Sequence, residues 1–239
     1  MGLGRQMAEG LAEMGANLVL CARKKERCEE AAEALRSLGV QTLALGCDVK
    51  DKAAIRQVVE ETLAKFGRVD ILINNAGVSL PDDMSSRAAF EQHFDVNVYG
   101  PLMVTQALLP SLTESTGRIV NVVSIGAFAA VPILPAYSAS KAAAFSVTQS
   151  LRALLAGQGV KVHAVLPGPI DTDMIRDLPI PKTPPESVAQ AIFDGVENED
   201  EEIFPDPFSE LLAESWRMGA AKELERQNAA LVQADPVAA

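Results

Sequence analysis

The stretch MGLGRQMAEGLAEMGANLVLCAR (residues 1–23) decides the fold and also carries its main irregularity. Gly2-Leu3-Gly4 reads as a glycine turn opening an amphipathic helix, and NLVLCA (17–22) reads as the strand after it. A glycine turn of this kind leaves a preceding strand, and here only Met1 precedes it. Working outward, residues 24–38 place Cys28, Ala31, Leu35 and Leu38 at i, i+3, i+7 and i+10, the apolar stripe of a helix. VQTLAL (40–45) is a short strand, and 51–66 is a helix with Ile55, Val58, Val59 and Leu63 on one face. VDILINN (69–75) is nearly all apolar, as a parallel strand covered on both faces should be. Two helical stretches follow, with Asn97 between them or in the second, which ends near Leu112. Then come a strand in GRIVNVVS (117–124), a helix over 137–155, a strand in VKVHAVLPG (160–168), a helix over roughly 186–196 and a short strand in EEIFPD (201–206).

Strands alternating with helices of this length indicate an α/β fold: a doubly wound parallel sheet with helices on both faces. The pattern predicts one domain over 1–207. Beyond it lie a helix through Leu211, Leu212 and Trp216 and a tail, VQADPVAA (232–239), expected to be disordered. In a doubly wound sheet the strand before the glycine turn is central. Without it, two half-sheets face a gap about one strand wide, ~4.8 Å per spacing, and their edge groups need other partners. The expectation is therefore a truncated or mis-started form of a longer protein, unless another segment fills the gap.

A chain of 239 residues is long enough for one well-buried core. Its net charge of −11 argues against nucleic acid or an anionic membrane as partner, since both reward basic patches. ENEDEE (197–202) reads as a solvated acidic loop. The most apolar region, IVNVVSIGAFAAVPILPAY (119–137), is broken by Asn121, Ser124, Pro132 and Pro135 and falls short of the ~20 mostly apolar residues of a span. Cys21, Cys28 and Cys47 form neither a disulfide framework nor a zinc pattern. Reduced thiols and no visible signal peptide suit a cytoplasmic protein. His93 and His163 read as structural, without metal-ligand company, so no metal is expected.

Four further stretches carry chemistry: NNAG (74–77), Ser124 in NVVSIGA, YSASK (137–141) and PGPIDTDM (167–174). Tyr137 has a phenol, which ordinarily titrates near pH 10 and needs a nearby cation to exchange protons at neutral pH. Lys141 lies four residues on, one helical turn along the same face, and can supply that field. A Ser124 hydroxyl at the end of the neighbouring strand can hold a substrate oxygen near Tyr137. Together with Asp48 in CDV, Asn97 in DVNVYG and Gly2/Gly4, these motifs resemble the short-chain dehydrogenase/reductase family over about the first 175 residues. Ser124 precedes Tyr137 by 13 residues, a family-like separation.

The resemblance implies an oxidoreductase in which Tyr137 is the general acid/base and Ser124 holds the substrate oxygen. Lys141 would also bind the nicotinamide ribose, and Asn97 would bend its helix to hold a relay water. Gly2 and Gly4, flanking Leu3, match the last two glycines of the family's TGxxxGxG turn, whose earlier half is absent. Helix-terminal amides at such a turn bind pyrophosphate. CARKK (21–25) lacks the acid that selects NAD, and Arg23 could pair with a 2′-phosphate, so NADP is expected, with NAD the alternative. By the same resemblance Asp48 and Val49 flank the adenine, Asn75, Ala76 and Gly77 the ribose side, and Pro167, Gly168, Ile170 and Thr172 the carboxamide side.

Two departures from the family pattern bear on function. Only about a dozen residues, IRDLPIPKTPPE (175–186) with four prolines, separate PGPIDTDM from the last helix, which predicts an open pocket instead of a helical lid. The C-terminus lacks the family's ITG…GG ending, so a homodimer is expected over a tetramer. Phe128, Ile133, Leu134, Met174 and Ile175 are the expected pocket residues, favouring an apolar ketone or secondary alcohol. A competing reading is a non-catalytic Rossmann-like binding protein or an inactive fragment of such an enzyme.

Overall fold

A computed structural model describes residues 2–234. The elements run α1 (Leu3–Glu13), β1 (Leu18–Ala22), α2 (Lys25–Arg36), β2 (Thr42–Gly46), α3 (Lys52–Phe66), β3 (Ile71–Asn74) and α4 (Arg87–Phe94). A π-helical turn (Asp95–Tyr99) leads into α5 (Gly100–Glu114), followed by β4 (Arg118–Val122), α6 (Pro135–Leu155), β5 (Lys161–Val165), α7 (Pro185–Glu197), β6 (Glu202–Ile203), α8 (Pro207–Arg217) and α9 (Ala220–Ala234). Local chemistry sets the boundaries. Asp51 caps α3 by accepting from the Ala53 and Ala54 amides, and Gly67 ends it in the left-handed region at φ 75°. Asp206 and Ser209 form a reciprocal capping box on α8.

All the strands are parallel, but they form two sheets: β1-β2 and β3-β4-β5-β6. No described residue pairs between β1 and β3. The orientation of the edges follows from parity. Leu18 donates to the Gln41 carbonyl and Ala22 accepts from Cys47, so Leu18, Leu20 and Ala22 turn their backbone groups to β2. Val19 and Cys21 therefore turn theirs to the open side. On β3, Asp70 accepts from the Arg118 amide, which leaves Ile71 and Ile73 facing away from β4. Burial records the same defect. The middles of β4 and β5 are buried, whereas Cys21 is exposed and Ile71 retains 40% exposure.

Helices hold the two sheets together where a strand ladder does not. On one face, Leu3 and Met7 of α1 pack with Val120, Val165, Val188 and Ile192. Ala8 and Ala12 of the same helix pack with Leu18, Leu35 and Val40. On the other face Val59 of α3 joins the core of Leu72, Leu112, Ile119 and Val162. Lys65 of α3 reaches β2 and donates to the Thr42 carbonyl at 2.9 Å.

Two expectations need correction. The helix carrying YSASK begins at Pro135, because proline fits the first turn where no amide partner is required. The C-terminal segment forms two helices, and α9 takes in Val232–Ala234, part of the expected disordered tail; residues 235–239 lie outside the described residues. Helix α9 docks mainly through charge. Lys222, 3% exposed, lies 2.6 Å from Glu201 and 2.9 Å from both Glu202 and Glu225. Arg152 of α6 completes the cluster, 2.8 Å from Glu202 and 2.6 Å from Glu225.

Candidate active site

The site is built where β3, β4 and β5 end, beside the start of α6. Ser124 lies two residues past the end of β4, and its Oγ accepts the Gly126 amide at 3.0 Å. Tyr137 lies in the first turn of α6, and Lys141 follows one turn later on the same face. The Lys141 Nζ is 5.8 Å from the Tyr137 ring centroid and donates to the Val122 carbonyl at 2.9 Å. Burial sets the electrostatics of both groups. It pushes the Tyr137 phenol above its ordinary value, an effect opposed by a hydrogen bond with Ser124. It lowers the Lys141 ammonium to about 8.

Asn97 sits in the π-helical turn between α4 and α5 and is 3% exposed. Its Oδ1 accepts the Val78 amide at 2.9 Å, and its Nδ2 donates to the Val78 carbonyl at 3.0 Å and to Ser140 Oγ at 2.9 Å. The asparagine thus ties the chain leaving β3 to α6. Ser140 passes the tie on by donating to the Tyr137 carbonyl at 2.7 Å. At Gly77 a Cβ would lie 3.4 Å from Asn97 Oδ1 and 3.8 Å from Lys141 Nζ, which places this glycine beside both side chains.

The amino end of α1 reaches the same region. A Cβ on Gly4 would come within 2.6 Å of Asn75 Nδ2, so a side chain here would push the Asn75 amide aside. Gly2 caps α1 without a side-chain hydrogen bond, and the first turn carries no acid. The amides at Leu3 and Gly4 therefore present an uncapped, positive helix end. Arg23 is exposed just past β1, beside exposed Ala22 and Lys24. Asp48 is half-buried after β2 and accepts the Lys50 amide at 3.0 Å, while Val49 packs where a Gly100 side chain would stand. These features fit a dinucleotide: an open helix terminus for the pyrophosphate, a buried ammonium at one end and an exposed cation at the other.

The residues after β5 divide. The Pro167 carbonyl accepts the Ile125 amide at 3.2 Å, linking this loop to the segment after Ser124. The Gly168 amide donates to Asp206 Oδ2 at 2.8 Å, and its Cβ position is filled by Asp206 and Phe208, so this glycine packs on α8. Ile170 bridges to Thr183 and packs on the sheet core, closing a short loop that contains Thr172, Met174 and Ile175. Phe128 lines a groove shared with Phe145, Leu212 and Trp216 between α6 and the C-terminal helices. It stacks on Trp216 at 4.7 Å and meets Phe145 edge-on at 5.0 Å, because α8 brings an aromatic partner that periodicity does not reveal.

Sequence reasoning missed Ser140, Ser138, Asp82 and the placement of His93. Ser138 Oγ accepts the Val131 amide at 2.9 Å, and Asp82 Oδ2 accepts the Ala136 amide at 3.1 Å. The available signal was the pair of hydroxyls inside YSASK, where an α-helix places two small polar groups on its buried side. A second buried ladder runs beneath the site: Asn74 donates to Asn121 at 2.9 Å and Asn121 to Thr148 at 3.0 Å. The described residues contain no helix long and apolar enough to cross a membrane and no group of three or more metal-ligating side chains.

Comparison with known proteins agrees with this geometry. A family model for short chain dehydrogenases matches residues 1–182. An uncharacterized oxidoreductase of Staphylococcus saprophyticus is 39% identical over 182 residues, which cover 74% of this chain and 77% of that protein. The 11-beta-hydroxysteroid dehydrogenase 1A of Arabidopsis thaliana is 37% identical over 179 residues, 73% of this chain and 51% of that protein. Among solved structures, a short chain dehydrogenase from Burkholderia cenocepacia in complex with NADP superposes with a TM-score of 0.79 at 31% identity, covering 95% of this chain and 92% of that one. An alcohol dehydrogenase from Thermococcus sibiricus complexed with 5-hydroxy-NADP gives a TM-score of 0.78 at 25% identity, covering 85% and 91%.

Proposed function

Because the chain belongs to the short-chain dehydrogenase family and is an oxidoreductase of that type, we propose that it interconverts a carbonyl and a secondary alcohol with NADP(H), using Tyr137 as general acid/base. The observation that carries this reading is the contact set of Ser124, Tyr137 and a desolvated Lys141 at one cleft. When bound, the nicotinamide supplies or accepts the hydride. Tyr137 gives its proton to the carbonyl oxygen in reduction and takes it back in oxidation. Ser124 donates to the same oxygen and holds it within reach of the phenol. The Lys141 ammonium stabilises the phenolate as it forms, and its bond to the Val122 carbonyl fixes its position.

NADP is favoured by Arg23, exposed at the end of β1 with no acidic neighbour in CARKK, and by the NADP-type ligands in both structural relatives. Gly2, Leu3 and Gly4 would meet the pyrophosphate, and Asn75, Ala76 and Gly77 the ribose beside Lys141. An apolar ketone or secondary alcohol is the substrate class, because Ile133 and Met174 stand exposed on loops after β4 and β5. Free thiols at Cys21, Cys28 and Cys47 support a cytoplasmic setting, and the long α5 and α6 are the surfaces on which a homodimer would form.

The test is Tyr137→Phe, with NADPH oxidation followed against a panel of apolar ketones. Turnover should fall at least ~1,000-fold while NADPH affinity stays within about twofold. Unchanged turnover would reject Tyr137 as the acid/base. The open edge between β1 and β3 favours a second reading, a nucleotide-binding protein without turnover. NADPH binding without reduction of any ketone would support that reading.

A further inference from the structure

Resting on the reading of Tyr137 as the acid/base, we infer that His93 is a positioning residue that fixes both the tyrosine ring and the cleft wall beside it. His93 lies in the last turn of α4 with no exposed surface. Its Nδ1 donates to the Ala89 carbonyl at 2.7 Å, and its Nε2 accepts the Leu80 amide at 3.1 Å. A carbonyl can only accept and an amide can only donate, so both bonds are met by the tautomer with its proton on Nδ1. The bond to Ala89 is an i to i−4 tie within α4 and locks the ring on its own helix. The bond to Leu80 reaches across to the loop after β3. The imidazole then stands edge-on to the Tyr137 ring, with centroids 6.5 Å apart and planes at 73°.

The loop is held at alternate residues by three different elements. Asn97 of the π-helical turn holds Val78, His93 of α4 holds Leu80, and Asp82 holds the first turn of α6 through the Ala136 amide. Of these three anchors, His93 is the one whose ring is also in contact with Tyr137. The phenol therefore lies among the Ser124 hydroxyl, the Lys141 ammonium and the His93 ring. Loss of the imidazole should release Leu80, which is already exposed, and admit water to the tyrosine.

The test needs neither cofactor nor substrate. The chain has two tyrosines, so Tyr99→Phe leaves Tyr137 as the sole phenol, and its ionisation can be followed by near-ultraviolet absorbance. In that background His93→Leu, which keeps bulk but makes neither bond, should move the Tyr137 titration down towards the ordinary phenol value. The same variant should speed exchange of the Leu80 amide about tenfold or more. His93→Gln can accept from Leu80 and donate to Ala89, and should restore both properties. In the active enzyme, His93→Leu should lower kcat and raise KM together, with His93→Gln close to the parent. Reduced thermal stability with an unmoved titration in His93→Leu would show a role in packing alone and overturn the inference. If His93→Leu does not fold, His93→Asn, too short to span both partners, decides the matter: a parental titration there overturns the inference equally. Failure of Tyr137→Phe to lose turnover would reject the acid/base reading while leaving these titrations interpretable.

Discussion

The two sheets of this protein differ in completeness, and the difference separates its chemistry from its cofactor grip. The four-stranded sheet carries Ser124 at the end of β4 and leads from β5 into the loop beside it, and α6 lies against it with Tyr137 and Lys141. Its strands are paired, their middles are buried, and the polar groups beneath the site are linked from Asn74 through Asn121 to Thr148. The two-stranded sheet carries Arg23 and Asp48 and presents one side with no ladder. Its position relative to the first sheet rests on α1 and α3. Ser124, Tyr137, Lys141 and Asn97, the proposed catalytic set, are thus placed by β4, α6 and the π-helical turn. A dinucleotide must also span to the second sheet, where the backbone of Val19 and Cys21 faces an unfilled edge. On the proposed reading, proton transfer rests on groups of one sheet, whereas a bound dinucleotide would reach both.

The largest effect should come from filling that edge. Joining a five-residue apolar strand and a complete glycine turn ahead of Gly2 should add about 3–5 kcal/mol of stability, or ~10 °C in melting temperature. The same extension should tighten NADPH by ~100-fold or more and slow amide exchange at Val19, Cys21, Ile71 and Ile73. Calorimetry and hydrogen exchange on both chains check this, and equal affinities would show that the open edge is irrelevant to the cofactor.

Next in size is Lys141→Met, which probes the complete half alone. Burial lowers the lysine from 10.5 to about 8 in the folded state, so between these values the unfolded chain holds a proton that the folded chain has released. Stability therefore rises with pH across that window, and below about pH 8 the buried charge imposes its full penalty. The methionine variant should be more stable at pH 7 by roughly 2–3 kcal/mol, with a gain that shrinks towards pH 10.5, and it should lose turnover. Urea unfolding at neutral and alkaline pH measures the difference, and a variant less stable at pH 7 would contradict it.

The smallest effect belongs to the other half. Arg23→Ala should weaken NADPH about tenfold and NADH by less than twofold, because an exposed guanidinium contributes only modestly to a phosphate contact. Equal losses for the two nucleotides, in parallel titrations, would remove the assignment of Arg23 to the 2′-phosphate.

How much was legible in advance depended on the range of the interaction. The YSASK spacing places Tyr137 and Lys141 on one face wherever a helix forms. Phe128 was misplaced because its stacking partner, Trp216, arrives from a distant helix through the tertiary fold. Helix α9 was missed because periodicity looks for an apolar stripe, while this helix is anchored by Lys222 among three carboxylates and leaves Leu224 and Leu231 exposed. His93 was read as structural, but nothing in HFDVN indicates that its ring would meet Tyr137.

The amino-acid sequence by itself determined the parallel α/β class and the spacing that sets Tyr137 and Lys141 on one helix face, because alternation and spacing act over one or two turns. The tertiary structure alone decided the desolvation of Lys141, the anchoring of the loop by Asn97, His93 and Asp82, and the support of a divided sheet by α1 and α3. Those properties are set by which surfaces exclude water from one another, and that is a product of packing between segments far apart in the chain.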